Sequence, residues 1–163
     1  MARQFLIANG PMPTAAAIAA VTTGTAIKTM LQIQAGAAVP FIVTGWGVSF
    51  TGAPAAIVCE LIDTYLIAAT VTAHVAAGVQ AFGPDQTASS VALGTAATGY
   101  TATVEGTITQ ARYGDVQIVS GSQYFPLSPL GREFYVPAAH NLRIRMTAAV
   151  AVNATCFVLT EDV

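Results

Sequence analysis

The sequence predicts an all-β protein: an antiparallel β-sandwich of jelly-roll type with an extended N-terminal arm. Short segments alternate between apolar and polar residues, which is the period of a half-buried strand. Turns rich in Gly, Pro and Asn separate these segments, and no long amphipathic helix is evident. Hydrophobic residues make up 54% of the chain. The excess is mostly Ala and Val accompanied by Thr and Gly, a composition that favours strands and loops.

The N-terminal segment differs from the remainder of the sequence. Residues 1–26 are rich in Ala, Thr, Pro and Gly, with Pro11 and Pro13 close together, and show no sustained period. We predict an extended arm over residues 1–26, ordered by the surface on which it lies. The chain of 163 residues has the length of one domain, which we place at residues 27–163.

The first strands follow Lys28, where the period becomes two. In the segment 41–50 the predicted core face carries Ile42, Trp46, Val48 and Phe50. Gly45 and Gly47 fall on the opposite face, where a bulge or a close backbone approach is expected. The residues 51–54 form a turn, and a strand over 57–64 follows, with Ile57, Cys59 and Leu61 on one side.

The clearest alternation lies in the segment 100–109, where five Thr and Glu residues alternate with apolar or small ones. The segment 142–150 repeats the pattern, with Leu142, Ile144, Met146 and Val150 opposed by Arg143, Arg145 and Thr147. Shorter strands are predicted at 116–119, 133–136 and 154–159, whereas 68–79 does not distinguish helix from strand. About eight strands result, and the jelly roll is a common eight-stranded sandwich.

Charge is scarce in this chain. Only 9% of residues are charged, Lys28 is the single lysine, and no charge occurs between it and Glu60. Direct binding of nucleic acid is not expected, because six basic residues without a patch do not neutralise phosphates. A membrane span is not expected either, because Pro and Gly interrupt the uncharged stretch. We therefore interpret the apolar composition as surface that other subunits cover.

No pattern in the sequence indicates catalysis, a cofactor or a metal. His74 and His140 have no partners at ligand spacing, so structural roles are favoured for both. The eight carboxylates show no pairing typical of a hydrolase, and Glu60 and Asp63 are expected to be solvated at a strand end. Cys59 and Cys156 are interpreted as buried free thiols, although a disulfide between them stays an alternative.

Four polar residues are the candidates for contact with a partner: Arg132, Glu133, Arg143 and Arg145. Arginine is enriched at protein interfaces, which favours this hypothesis. The alternative is that they are solvated or form local ion pairs. Exposed aromatic residues near loops would instead indicate a carbohydrate- or receptor-binding sandwich, and the candidates are Tyr113, Tyr124, Phe125 and Tyr135. Packing in the core or an interface is the alternative for these rings.

Several segments resemble small structural proteins of tailed bacteriophages. They are TGTAIKTMLQ (23–32), WGVSFTG (46–52), LGTAATGYTA (93–102), EGTIT (105–109), PLGRE (129–133), LRIRMT (142–147) and AVNA (151–154). The resemblance implies a capsid decoration or cement protein with a jelly-roll-like fold, made in the host cytoplasm and located on the capsid surface of the virion. It also implies a homotrimer bound to the major capsid protein, with no catalytic residues.

The expected function is therefore mechanical and non-enzymatic. Many copies would bridge adjacent capsomers and resist the internal pressure of the genome, with affinity supplied by repeated contacts. A tail or head–tail component of the virion is the first alternative, because the same architecture serves there. A carbohydrate- or receptor-binding β-sandwich is the second.

Overall fold

Two antiparallel β-sheets packed face to face make up the computed structural model, which describes residues 3–12, 16–52 and 55–163. The prediction of an all-β antiparallel sandwich is confirmed. Within the described residues the one helical element is a 3-10 turn at Ala76–Gly78. No helix there is long and apolar enough to cross a membrane. Of the predicted 51–54 turn, Ala53 and Pro54 lie outside the described residues.

The described part of the chain contains thirteen strands. In chain order they are β1 (Arg3–Ala8), β2 (Val21–Thr22), β3 (Lys28–Gln34), β4 (Phe41–Phe50), β5 (Ile57–Asp63), β6 (Thr70–Ala73), β7 (Val79–Ala81), β8 (Gly99–Val104), β9 (Arg112–Val119), β10 (Gln123–Tyr124), β11 (Phe134–Val136), β12 (Asn141–Thr147) and β13 (Asn153–Asp162). The undecided segment 68–79 is thus strand β6, the 3-10 turn and the start of β7.

The first sheet has the order β10-β4-β13-β1-β7, with β11 also pairing β4 and β2 pairing β13. The second sheet has the order β6-β8-β3-β12-β5-β9. Strands β3, β4 and β5 lie alternately in the second, first and second sheet, and β12 and β13 again divide between the two. Most neighbours in each sheet are therefore distant in sequence, and the pairing depends on long-range contacts.

The core lies between the two sheets and is built from the alternating strands. Trp46, Val48 and Phe50 on β4 meet Leu142, Ile144 and Met146 on β12 in one cluster of buried side chains. Each Val, Leu, Ile, Phe or Met buried in this way stabilises the fold by about 1.5–3 kcal/mol. The predicted inward faces of the segments 57–64 and 142–147 are confirmed, since their alternate apolar residues are buried.

A bulge changes the face of β4 in the middle of the strand. The register between β13 and β4 shifts between Leu159 and Thr160, so the strand turns over between Val43 and Gly45. Phe41 and Val43 are buried, whereas Ile42 is only half-buried on the outer side. The prediction that Ile42 shares the face of Trp46 is therefore wrong, because a strict period of two does not survive a bulge.

The prediction of an extended N-terminal arm is wrong for its first part. Strand β1 (Arg3–Ala8) pairs with β13 on one side and with β7 on the other, and Phe5 and Ile7 are buried. Asn9 continues the attachment, since its side-chain amide donates to Ala154 O at 3.1 Å and its Oδ1 accepts from Cys156 N at 2.7 Å. Strand β1 is therefore part of the sandwich. Its pairing on both sides satisfies backbone N–H and C=O groups that would otherwise have no partner.

Two predicted strands are shorter in the structure. The segment 100–109 is a strand only as far as Val104, after which Gly106 adopts a φ of +72° that ends the extended conformation. The Glu105 carboxylate leaves the predicted alternation and accepts from Thr29 N at 2.5 Å and Thr29 Oγ1 at 2.6 Å. The segment 142–150 likewise ends as a strand at Thr147, and Val150 is exposed.

Candidate functional site

Arg132 and Glu133 lie in the loop between β10 and β11, close to a cleft at the open edge of the sandwich. The cleft has a volume of about 260 Å³ and lies between β4 and β9. Arg132 is exposed, whereas Glu133 is half-buried and accepts from Gly131 N at 3.0 Å. Both residues line the cleft, and contact with a partner stays a prediction for them.

The floor of this cleft is a polar cluster around Asp115 on β9. The Asp115 carboxylate accepts from Trp46 Nε1 at 3.3 Å, from Tyr124 Oη at 2.9 Å and from Gln117 Nε2 at 2.8 Å. Burial, together with the hydrogen bond to Asp115 and its negative charge, raises the pKa of Tyr124 to about 12. The carboxylate is thus occupied by three internal donors and ties the edge of one sheet to the other.

Arg143 is not a surface residue, which corrects its prediction as a partner contact. Its side chain is fully buried beneath the segments that follow β5 and β8. Nη1 donates to the Glu105 carbonyl at 2.9 Å, Nη2 donates to the Ile67 carbonyl, and Nη1 lies 3.6 Å from the Glu105 carboxylate. Desolvation lowers the pKa of Arg143 to about 10, against the opposing effect of Glu105. The guanidinium holds two loops on the second sheet.

Arg145 lies on the outer side of the second sheet in a cross-strand ion pair. Its Nη2 is 2.8 Å from Glu60 Oε2 on the neighbouring strand β5, and both side chains are largely buried. Glu60 is therefore not free and solvated as expected from the sequence. This contact confirms the alternative that Arg145 forms a local ion pair. Little of its guanidinium group is left accessible to another molecule.

Asp63 forms a second buried polar cluster at the end of β5, which corrects the expectation that it is solvated. Its carboxylate accepts from Tyr65 N at 2.8 Å and Arg112 Nη2 at 3.1 Å, and it lies 3.1 Å from His140 Nδ1. The His140 ring packs on Tyr65 with centroids 4.8 Å apart. Tyr65 has a φ of +56°, and its carbonyl accepts from both Asn141 N at 2.8 Å and Asn141 Nδ2 at 3.0 Å. The cluster joins loop ends and brings no nucleophile to the imidazole.

His74 is also held within the fold. Its Nε2 donates to the Ala8 carbonyl at 2.8 Å, and its ring packs on Tyr100 with centroids 5.0 Å apart. Burial lowers the pKa of His74, and the hydrogen bond to Ala8 opposes this only in part. His74 therefore fastens β1 to the neighbouring segment.

Cys59 and Cys156 are buried free thiols, which confirms the interpretation from the sequence. Cys59 is on β5 and Cys156 is on β13, so they come from opposite sheets and belong to the same core cluster. Burial raises the pKa of Cys59 to about 12 and raises that of Cys156 well above its ordinary value. Burial therefore favours the protonated, unreactive form of both thiols in the folded chain.

The outer face of the first sheet carries an apolar patch that the sequence analysis did not single out. We define the apolar patch as Leu6, Phe125, Leu127, Phe157 and Leu159. Phe125 and Phe157 have ring centroids 5.2 Å apart, and they lie over Gly47, whose missing Cβ would come within 2.6 Å of Phe157. Leu127 and Leu159 meet over Gly45 in the same way, at 3.0 and 3.4 Å. The expected close approach at Gly45 and Gly47 is thus confirmed.

Two of the five side chains of the apolar patch are largely open to solvent, and the other three are half-buried. Leu127 is 65% exposed and Phe125 is 51% exposed. Tyr113 and Tyr135 are also exposed, whereas Tyr124 packs edge-on against Trp46 with centroids 5.5 Å apart. A signal for the patch was present in β13, where Phe157 and Leu159 alternate with buried residues. A strand that is apolar on both faces indicates cover on both sides.

Known proteins give no further indication of function: no protein-family model, curated protein or solved structure matches the chain. Within residues 3–12, 16–52 and 55–163, no group of three or more His, Cys, Asp and Glu could hold a metal ion. The features with functional potential are therefore the apolar patch, the cleft beside Arg132 and the exposed strand edges.

Proposed function

We propose that the chain is a non-enzymatic structural protein of a tailed-phage virion, which decorates and stabilises the capsid by bridging capsomers as a homotrimer. The observation that carries the proposal is the apolar patch. Its residues Phe125 and Leu127 are two of the sixteen large hydrophobic side chains that are exposed among the described residues. Exposed apolar surface is unfavourable in water, and this chain has few charges to offset it. Contacts between subunits would bury that surface.

The strand order supports a jelly-roll architecture for this role. The strands β1, β13, β4 and β11 are neighbours in one sheet, and β3, β12, β5 and β9 are neighbours in the other. This order is the one expected of the two four-stranded sheets of a jelly roll, with β6 to β8 as additions at the edges, and it supports the proposal. Jelly rolls are common in viral capsids and in lectins, so the fold favours the class without deciding it.

The polar clusters support a mechanical role. Asp63, Asp115, Arg143 and Arg145 each bind other groups of the same chain. Their contacts connect loops to strands and one sheet to the other. Such contacts make a rigid block, which suits a protein that transmits force between neighbouring capsomers. The major capsid protein is the proposed partner, and the capsid surface is the proposed location.

Sedimentation tests the self-association. The wild-type chain at micromolar concentration should sediment as a trimer in analytical ultracentrifugation. Leu127→Glu places a charge in the apolar patch and should shift the chain to monomer. Leu66→Glu is the matched control, because Leu66 is 70% exposed but lies in the loop after β5. A wild-type monomer, or equal effects of the two substitutions, would contradict the proposal.

Electron cryomicroscopy tests the location. Particles that contain the chain should show the sandwich on the outer capsid surface at the junctions between capsomers. Density only in the tail or at the head–tail connector would support the first alternative. Removal of the chain from assembled particles should lower the temperature at which they release their genome, because the bridges between capsomers are lost.

A receptor- or carbohydrate-binding role has one observation in its favour, which is the cleft beside Arg132. Trp46, Asp115, Arg132 and Glu133 line it, and this mixture of aromatic and charged groups is typical of polar ligand sites. Arg132→Ala should abolish adsorption of the chain to host cells if the cleft binds a receptor. Under the capsid proposal the same variant leaves assembly on particles unchanged.

A further inference from the structure

A second cavity lies at one end of the second sheet, apart from the cleft beside Arg132. It has a volume of about 260 Å³ and lies where β5 ends and where β9 and β12 begin. Three segments form its wall: 64–69 after β5, 105–111 after β8 and 137–140 before β12. We call this cavity the His140 pocket. Sites for drug-sized ligands have volumes of about 300–1,000 Å³, so the His140 pocket suits one small ring.

Three polar groups line the His140 pocket and have no hydrogen-bond partner among the described residues. They are the hydroxyl of Thr109, the side-chain amide of Gln110 and Nε2 of the His140 ring. The other ring nitrogen, Nδ1, lies 3.2 and 3.1 Å from the two oxygens of the Asp63 carboxylate. A carboxylate at Nδ1 keeps the proton of a neutral ring there, which leaves Nε2 as an acceptor. The pocket therefore offers one oriented acceptor and two groups that both donate and accept.

The rest of the lining is uncharged. It consists of Leu66, Ile67, Ala138 and Tyr65, and no Asp, Glu, Lys or Arg of the described ranges lines the pocket. Behind His140, the charge of Asp63 is opposed by that of Arg112 at 3.1 Å. The Tyr65 ring already packs on His140, so a flat aromatic ligand gains little from stacking there. The lining fits a ligand without charge that presents hydroxyl groups at its rim and C–H groups on its face.

The walls of the His140 pocket are held in place by the fold itself. Tyr65 and Ala139 have φ values of +56° and +63°, a left-handed conformation that residues other than glycine rarely adopt. Tyr65 N donates to Asp63, Asn141 donates twice to the Tyr65 carbonyl, and Ala139 N donates to Gly36 O at 2.9 Å. Residues fixed in such conformations are concentrated at ligand sites. Because the walls are already ordered, a ligand loses little affinity to their ordering.

We propose that the His140 pocket binds one ring of an uncharged saccharide. A ring hydroxyl donates to His140 Nε2, other hydroxyls exchange hydrogen bonds with Thr109 and Gln110, and the C–H face of the ring lies on the apolar wall. This site goes beyond the proposed function and does not depend on it, since it shares no residue with the apolar patch or with the cleft beside Arg132. A free sugar and one unit of a polysaccharide have the same chemistry here, and the experiment distinguishes them.

Proton NMR of the full chain tests the proposal, because the chain has only two histidines. Glucose, galactose, mannose, rhamnose and N-acetylglucosamine are titrated separately to concentrations well above millimolar. At least one of them should shift the Hε1 resonance of His140 saturably, with a dissociation constant on the order of millimolar. The Hε1 resonance of His74, which is only 4% exposed, is the internal control and should not move. Comparison with His74→Gln assigns the two resonances.

Two threonine substitutions locate the binding site. Thr109→Val removes a hydroxyl at nearly constant size and should raise the dissociation constant about fivefold. Thr107→Val is the matched control and should leave it unchanged, because Thr107 is exposed in the same segment but does not line the pocket. Arg132→Ala should also leave it unchanged. The fluorescence of Trp46, which lines the cleft beside Arg132, should not respond to the sugar.

A saturable shift of His140 that Thr109→Val weakens and Thr107→Val does not weaken supports the proposal. Retention of the chain on beads that carry a polysaccharide of the same sugar then supports a polymer as the source, and passage through the column supports a free sugar. The proposal is overturned if none of the sugars shifts His140, if the two threonine variants have equal effects, or if Arg132→Ala abolishes binding. A shift that acetate or phosphate produces as strongly as any sugar overturns the uncharged class of ligand. Sedimentation of the wild type does not depend on these results, so the proposed function fails or stands separately.

Discussion

Replacement of Arg143 by alanine tests whether a buried guanidinium holds the outer loops on the second sheet. The side chain is fully buried, and its two terminal nitrogens bind the carbonyls of Glu105 and Ile67. Both carbonyls belong to segments without strand partners at these positions. The substitution removes their donors and leaves a cavity, and we expect the two loops to detach from the sheet.

The magnitude follows from the contacts that are lost. Removing one member of a buried ion pair costs about 3–5 kcal/mol. The Glu105 carboxylate retains its two donors on Thr29 and some access to solvent, which places the expected loss toward the lower end. With an m-value of about 2 kcal/mol/M, a loss of about 3 kcal/mol lowers the urea midpoint by about 1.5 M. Arg143→Lys keeps one donor and the charge, and should lose about half as much.

The assay is urea unfolding followed by the fluorescence of Trp46, the single tryptophan of the chain. Trp46 is buried in the core and donates to Asp115, so its emission reports the packing of the sandwich. Protein concentration is held constant, because self-association contributes to the apparent stability. Arg132→Ala is the matched control, since Arg132 is exposed and should change stability by less than about 0.5 kcal/mol. An Arg143→Ala variant as stable as this control would refute the reasoning.

Three further predictions concern buried groups. The folded-state pKa of His74 is lowered from 6.5, so its contribution is present above pH 6.5 and lost as pH falls through the folded pKa; urea midpoints between pH 7 and 5 should fall more steeply in wild type than in His74→Gln. Cys59 and Cys156 should not react with Ellman's reagent at pH 8 until urea unfolds the chain, because burial keeps both thiols protonated; two rapidly titrating thiols in the native state would contradict this. Gly47→Ala should cost about 1–3 kcal/mol, because its Cβ would approach an aromatic ring to 2.6 Å; Gly121→Ala, with open space around it, should change the melting temperature much less.

The alternation of the sequence predicts the strands that contribute most to the core. The segments 41–50, 57–64 and 142–147 alternate because one side of each strand faces the opposite sheet. The segment 100–109 shows an equally regular alternation, yet its second half is not a strand. Gly106 turns the backbone there, and Glu105 is drawn to Thr29, which is distant in sequence. A local pattern cannot anticipate a contact of that separation.

Strand β1, in contrast, is a strand that the sequence pattern did not predict. The residues 3–8 are few, and the Ala- and Pro-rich residues after them suggested an arm. Their place between β13 and β7 depends on pairing with the other end of the chain, where Arg3 lies opposite Asp162. The apolar patch could not be predicted from the sequence for the same reason. Phe125 and Leu127 contact Phe157 and Leu159 above Gly45 and Gly47 of β4, and these residues are distant in sequence.

The composition and the alternation of the sequence by themselves determined that the protein is an all-β sandwich and that its two thiols are buried. Both can be read from short segments of the chain without knowledge of long-range contacts. Only the tertiary structure determined which groups the arginine side chains of β12 bind. Arg143 and Arg145 alternate on the same strand and look alike in sequence, yet the loops that fold over β12 bury one beneath carbonyls and leave the other beside Glu60. The tertiary structure also determined that β9 is the edge strand of the second sheet. The sequence of a strand does not show whether another strand pairs with it on each side.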